Sequence, residues 1–115
     1  MLHHVSLEIE PERLEDCVAC WRLLGFEPVA APAALGDGVT WLERAGTQVH
    51  LIHAEGATVP RLGHAAVVVD DFEATFAALE AEGRRPQRRR ELWGEPRASV
   101  EAGGHRVEFM AAPPG

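Results

Sequence analysis

Ala45-Gly46-Thr47-Gln48-Val49-His50-Leu51-Ile52 reads as a small turn followed by a strand, with polar and apolar side chains in alternation. The same pattern returns 58 positions later, in Gly103-Gly104-His105-Arg106-Val107-Glu108-Phe109-Met110. Gly46 falls on Gly104, Val49 on Val107, Leu51 on Phe109 and His50 on Glu108. Two side chains of metal-ligand type therefore hold equivalent places in two similar strands.

Working outward, each of these strands closes a copy of one longer pattern. His3 to Glu10 alternates, with Val5, Leu7 and Ile9 on one face and His4, Ser6 and Glu8 on the other. Pro11 suits the first position of a helix, Leu14, Cys17, Val18, Trp21 and Leu24 recur at helical spacing, and Gly25 is a natural stop. Strands are expected over 26–30, 39–44 and 47–53, separated by an Ala/Pro/Gly-rich stretch at 31–38 and the turn Ala45-Gly46. After an aperiodic linker the pattern restarts. A strand is expected over Gly63–Val69, and a helix capped by Asp70 with Glu73 at capping-box spacing and Phe72, Phe76 and Leu79 on its apolar stripe. Gly83 ends that helix, a basic segment runs from Arg84 to Arg90, and strands are expected over 96–102 and 105–111. Both halves read β-α-β-β-β. A tandem repeat of this kind implies one α+β domain over 1–115: module 1 at 1–54, a linker at 55–62 and module 2 at 63–112, in a curved mixed sheet with helices on the outside.

The length suits a single domain with one core. A formal net charge of −7 argues against nucleic acid or an anionic membrane as partner. No apolar run reaches the length of about 18 residues that a membrane span needs. The N-terminal Met-Leu-His-His-Val has no export-signal pattern, and two cysteines make no disulfide framework, so a cytoplasmic protein is expected. All eleven basic residues are arginine, which excludes Schiff-base lysine chemistry.

In the first strand of each half, His4 and His64 oppose the apolar face; in the last, His50 and Glu108 do. If the apolar faces lie under the helices, these four share an open surface. Three imidazoles and a carboxylate form an N₃O set suited to a divalent transition metal, with positions left for a substrate.

The stretches His4-Val5-Ser6-Leu7, Trp21-Arg22-Leu23-Leu24-Gly25-Phe26, Val49-His50-Leu51, Gly63-His64-Ala65-Ala66-Val67-Val68-Val69 and Gly104-His105-Arg106-Val107-Glu108-Phe109 resemble the vicinal oxygen chelate superfamily. It includes glyoxalase I, bleomycin- and fosfomycin-resistance proteins, methylmalonyl-CoA epimerase and extradiol dioxygenases. The resemblance spans essentially the whole chain. It implies paired βαβββ modules around a metal-binding cleft, metal ligands at His4, His50, His64 and Glu108, a divalent ion (Zn, Ni, Fe, Mn or Co), and a small-molecule substrate bound through adjacent oxygens. Glu108 would be ligand or general base. A glyoxalase-like lyase or isomerase is the leading expectation, with an extradiol-type dioxygenase or a drug-sequestering resistance protein as alternatives. His4, His64 and Glu108 alone resemble the 2-His-1-carboxylate triad of the dioxygenases. The chain departs from glyoxalase I, which usually carries a carboxylate at the place of His50, and from the common Asp-Pro-x-Gly turn, here Ala102-Gly103-Gly104. Family members are often homodimers, and a flexible linker would permit modules to be exchanged between chains.

Gln48 and Arg106 share the faces of His50 and Glu108 and are expected at the rim of the cleft, and Arg97 is placed to meet an anionic substrate. Cys17 and Cys20 lie inside an amphipathic helix and are expected in the core. His3, His53 and His105 are out of phase with the site. Arg84, Arg85, Arg88, Arg89 and Arg90 suggest either an anion site or a solvated edge strand, the edge strand being the leading expectation, and Trp41 and Trp93 are expected in the core or an interface.

Overall fold

The alternation at both ends of each half becomes a parallel strand pair. In the computed structural model, which describes residues 1–115, β1 (His4–Ile9) lies parallel to β4 (Thr47–His53), with His4 beside Gln48 and Ser6 beside His50. β4 pairs antiparallel with β3 (Val39–Arg44), and β3 with β2 (Glu27–Val29), giving the order β1-β4-β3-β2. The second half repeats this order as β5 (Ala65–Val68), β8 (His105–Met110), β7 (Arg97–Ala102) and β6 (Gln87–Arg89). The helices α1 (Leu14–Leu23) and α2 (Phe72–Ala81) each follow the first strand of their half. The chain divides into two compact units, Met1–Val59 and Pro60–Gly115. The α+β class and the two βαβββ modules are as the repeat predicts, each module building its own four-stranded mixed sheet.

The two hairpins are closed by matching turns. Ala45 and Gly46 have φ of 50° and 86°, and Gly103 and Gly104 have 57° and 89°. Two successive positive φ values are the geometry whose twist matches that of flanking antiparallel strands. This is why a Gly-containing pair recurs at the same place in both halves.

In the first unit Ile9, Cys17, Cys20, Trp21, Leu42 and Leu51 are fully buried. In the second, Leu79, Ala98, Val107 and Phe109 are fully buried. Phe72 and Phe76 of α2 stand 5.2 and 6.4 Å, ring to ring, from Phe109 of β8. Side chains alternate along a strand, so α2 covers the Val107/Phe109 face and leaves Arg106 and Glu108 on the other.

Three local expectations shift. The cap of α2 is Asp71, whose side chain accepts from Ala74 N at 3.0 Å, not Asp70. Val69 N still donates to Met110 O, so the chain stays extended one pairing longer than the capping-box spacing suggests. β5 begins at Ala65, which leaves His64 just ahead of the strand. The linker is tied down at its start: Ala57 N donates to Glu10 Oε1 at 2.8 Å and Thr58 N to Glu8 Oε1 at 3.2 Å.

Candidate functional site

The polar face of the first unit carries a stack of rings. Trp41 on β3 is directly opposite His50 on β4. Directly opposed residues in a sheet share a face, and here the indole lies 3.9 Å from the imidazole with the planes 2° apart. His4 stacks on His50 at 4.0 Å. His50 is thus sandwiched between Trp41 and His4. Its orientation is fixed further by a relay: Gln48 Nε2 donates to Glu43 Oε1 at 2.8 Å, which turns Gln48 Oε1 toward His50 Nε2 at 2.7 Å. An amide oxygen only accepts, so Nε2 of His50 carries the proton and Nδ1 the lone pair. Burial, with smaller contributions from His4 and His3, holds the His50 pKa below its ordinary value, which favours the neutral ring. His3 Nδ1 lies 2.9 Å from His4 Nδ1, so one of these rings donates to the other.

Stacking has a consequence for chelation. Imidazole lone pairs lie in the ring plane, and a metal–nitrogen bond is about 2.0–2.1 Å long. With centroids 4.0 Å apart and planes 18° apart, His4 and His50 cannot both reach one ion as they stand. One of the two rings would have to turn.

The polar face of the second unit carries a pair of ligand type. His64 Nε2 lies 3.4 Å from Glu108 Oε2. His64 Nδ1 lies 2.8 Å from Leu62 O, and since a carbonyl only accepts, Nδ1 carries a proton. Glu108 is buried in β8, at 8% exposure, and its other oxygen, Oε1, accepts from Arg97 Nε at 2.6 Å. Arg97 also donates to Arg90 O at 3.0 Å and lies over the Trp93 ring at 5.8 Å. Arg97, expected to meet an anionic substrate, is therefore engaged with the candidate ligand itself. It fixes the Glu108 carboxylate with Oε2 directed to His64.

Of the residues singled out in the sequence, the structure brings His4 to His50 and Gln48 in the first unit, and His64 to Glu108 and Arg97 in the second. Neither unit by itself gathers three or more histidine, cysteine or carboxylate side chains into a metal-holding group. Arg106 lies on the Glu108 face but against different neighbours, in a cleft described below. Trp41, expected in the core or an interface, stacks on His50 as the platform under its ring; its parity relative to His50 across the β3–β4 hairpin was the available signal. His53 is bonded to Thr40 Oγ1 at 2.8 Å, and His105 is buried at the hairpin. Cys17 and Cys20 are fully buried, as a core role predicts, and burial, reinforced by Cys20 and Asp16, pushes the Cys17 thiol up to about 12.

The sequence matches no protein-family model and no curated protein. Solved structures do match. A protein described as of the glyoxalase family, from Bacillus anthracis, superposes with a TM-score of 0.85 at 20% identity, over 96% of this chain and 93% of that one. A mutant of the fosfomycin resistance protein FosX from Listeria monocytogenes, complexed with Mn(II) and 1S,2S-dihydroxypropylphosphonic acid, gives 0.75 at 13% identity, over 98% and 93%. Lactoylglutathione lyase from Agrobacterium tumefaciens gives 0.73 at 16%, over 96% and 92%. No helix of the chain is long and apolar enough to cross a membrane. Over nearly its whole length, this chain has the fold of the vicinal oxygen chelate superfamily.

Proposed function

We propose that the protein is a metal-dependent enzyme acting on a small molecule with adjacent oxygen atoms, with His4, His50, His64 and Glu108 as its ligand residues, drawn from one chain or from both chains of a homodimer in the cytoplasm. The observation that carries this reading is the His64–Glu108 pair. With the proton on Nδ1 committed to Leu62 O, a neutral His64 presents a lone pair to the carboxylate oxygen 3.4 Å away. Two lone pairs facing each other require a positive charge between them, either a proton or a metal ion. The backbone carbonyl behind His64 and the guanidinium behind Glu108 are the outer partners that orient ligands in metal sites. A neutral His50 matches the same need. The donors are imidazole and carboxylate, so the set fits Zn, Ni, Fe, Mn or Co. When bound, the ion would supply Lewis acidity that stabilises an enolate or oxyanion.

The protein's own groups do the rest. Arg97 holds one oxygen of Glu108 so that the other faces His64. Glu108 can then ligate, or take a proton from a carbon next to the substrate's oxygens. That proton transfer is the step shared by lyases and isomerases of this kind, and it makes a glyoxalase-like lyase or isomerase the leading reading. The sandwiched state of His50 favours a second: if His50 stays with Trp41 and Gln48, the remaining His4, His64 and Glu108 form a 2-His-1-carboxylate set, and a dioxygenase follows.

Metal analysis of protein expressed with supplemented metals, beside His64→Ala, tests the reading. Stoichiometric metal that His64→Ala loses is the expected result; no metal in either sample defeats it. Trp fluorescence titration with candidate ligands in EDTA addresses the sequestering alternative, which predicts binding that survives chelation.

A further inference from the structure

The run from Arg84 to Arg90 includes the exposed edge strand β6, as expected, but its arginines do not all face one way. Alternation along β6 sends its arginines to opposite faces. Arg88 lies over the Phe76 ring at 4.5 Å, on the α2 side, and pairs with Glu73. Arg89 points the other way, where its Nε donates to Ser99 Oγ at 2.9 Å. There it joins Arg61, Arg84, Arg85 and Arg106 in the lining of a cleft of about 420 Å³. That volume falls within the range of about 300–1,000 Å³ typical of small-molecule sites.

The charge in this cleft runs against the rest of the chain. The protein carries 18 acidic and 11 basic residues, yet five of the eleven line one cleft and Glu101 is the one carboxylate among them. Packing like charges around a concavity costs electrostatic free energy, and the cost is tolerated where an anion repays it. Two local features hold the arginines in place. The Arg84 side chain is only 10% exposed, beside Glu82. Arg85 has φ of 55°, a left-handed conformation that a non-glycine residue seldom adopts.

We propose that this cleft binds a small polyanion of the phosphate type, carrying two or more negative charges on clustered oxygens. Guanidinium groups match such oxygens in paired, charge-assisted hydrogen bonds. Ser99 lies directly opposite Glu108 across the β7–β8 pair, so the cleft abuts the candidate catalytic carboxylate. Assigning the polyanion as the non-reacting end of the substrate rests on the metal-dependent reading above; the binding itself does not.

Calorimetric titration with pyrophosphate and with inorganic phosphate, at fixed ionic strength and in EDTA, tests the proposal. Pyrophosphate is expected to bind about tenfold or more tightly than phosphate, since each added charge-assisted contact is worth roughly that factor. Arg89→Met and Arg106→Met should each weaken it about tenfold. Arg106→Met leaves the Arg89–Ser99 bond in place, so one variant's failure to fold does not void the test. Arg22→Met, which removes a charge from a solvent-exposed pair with Glu27, is the control and should change nothing. Absence of pyrophosphate binding overturns the proposal, as does equal weakening by Arg22→Met. Repeating the titration with His64→Ala separates the two readings. Binding that persists in a protein holding no metal upholds the cleft alone, and metal binding without pyrophosphate binding overturns the cleft and leaves the metal centre standing.

Discussion

His64 and Glu108 face each other through Nε2 and Oε2 at 3.4 Å, each held from behind by a different partner. Leu62 O fixes the imidazole and Arg97 fixes the carboxylate. Glu108→Gln keeps the shape but replaces one anionic oxygen with an amide donor. Outer partners of metal ligands alone are worth about 10–100-fold in affinity, so losing the ligand charge should cost at least that. Competition titration with a chromogenic chelator measures it, and unchanged affinity would remove Glu108 from the ligand set.

Arg97 has a structural duty that can be weighed separately. Its side chain is 19% exposed and that of Glu108 11%, so the pair is largely desolvated. Arg97→Met leaves a buried carboxylate that has lost its charged partner, which costs about 3–5 kcal/mol. We expect a drop of that size in the denaturant-unfolding free energy. Arg97→Met/Glu108→Gln should recover part of the loss, because the uncompensated charge goes with it.

The architecture was legible because one pattern occurs twice. The turn-plus-alternation of 45–52 and its echo at 103–110 place the two closing strands, and the structure buries their apolar faces, but it also buries Gln48, His50 and Glu108 on the opposite faces, which alternation alone left open. The candidate site was legible one residue at a time. Parity put His4, His50, His64 and Glu108 on polar faces, but it carries no rotamer information. It could not show that His50 is clamped between Trp41 and His4, or that Arg97 is spent on Glu108. The basic run does form an exposed edge, as its composition suggested, but composition did not show that alternation along β6 sends Arg88 to an aromatic face and Arg89 to a cleft. Asp70 and Asp71 differ in their fit to the capping pattern by one residue, and only the extra pairing of Val69 decides between them.

Gly25 is a position where backbone and packing agree. Its φ is 95°, and an added Cβ would stand 2.9 Å from Arg44 Nε. The arginine end can move aside, but the left-handed backbone cannot be relieved locally. Gly25→Ala should therefore destabilise by about 1–3 kcal/mol, the cost of a side chain in that region. Thermal and denaturant unfolding would record it. Gly38→Ala, at a glycine with no positive φ and no atom within 4 Å of an added Cβ, should be close to neutral.

Cys17 gives the chain a pH dependence that few proteins allow to be seen. Burial raises its thiol from the ordinary 9.0 to about 12. Between those values the unfolded chain has lost the thiol proton while the folded chain keeps it. The unfolded state then binds fewer protons, so stability falls as pH rises, at up to about 1.4 kcal/mol per pH unit for one group. Below pH 9 the contribution is fully present. In most proteins lysines and tyrosines titrate in the same window and hide such an effect. This chain has no tyrosine, and all eleven of its basic residues are arginine, which stays charged throughout. Urea unfolding in a reductant at steps from pH 8 to pH 11 should show a flat region and then a decline beginning near the unfolded thiol's pKa. Cys17→Ala will lower the absolute stability by opening a cavity, but it should flatten the slope. An alkaline slope unchanged in Cys17→Ala would show that the buried Cys17 thiol is not its source.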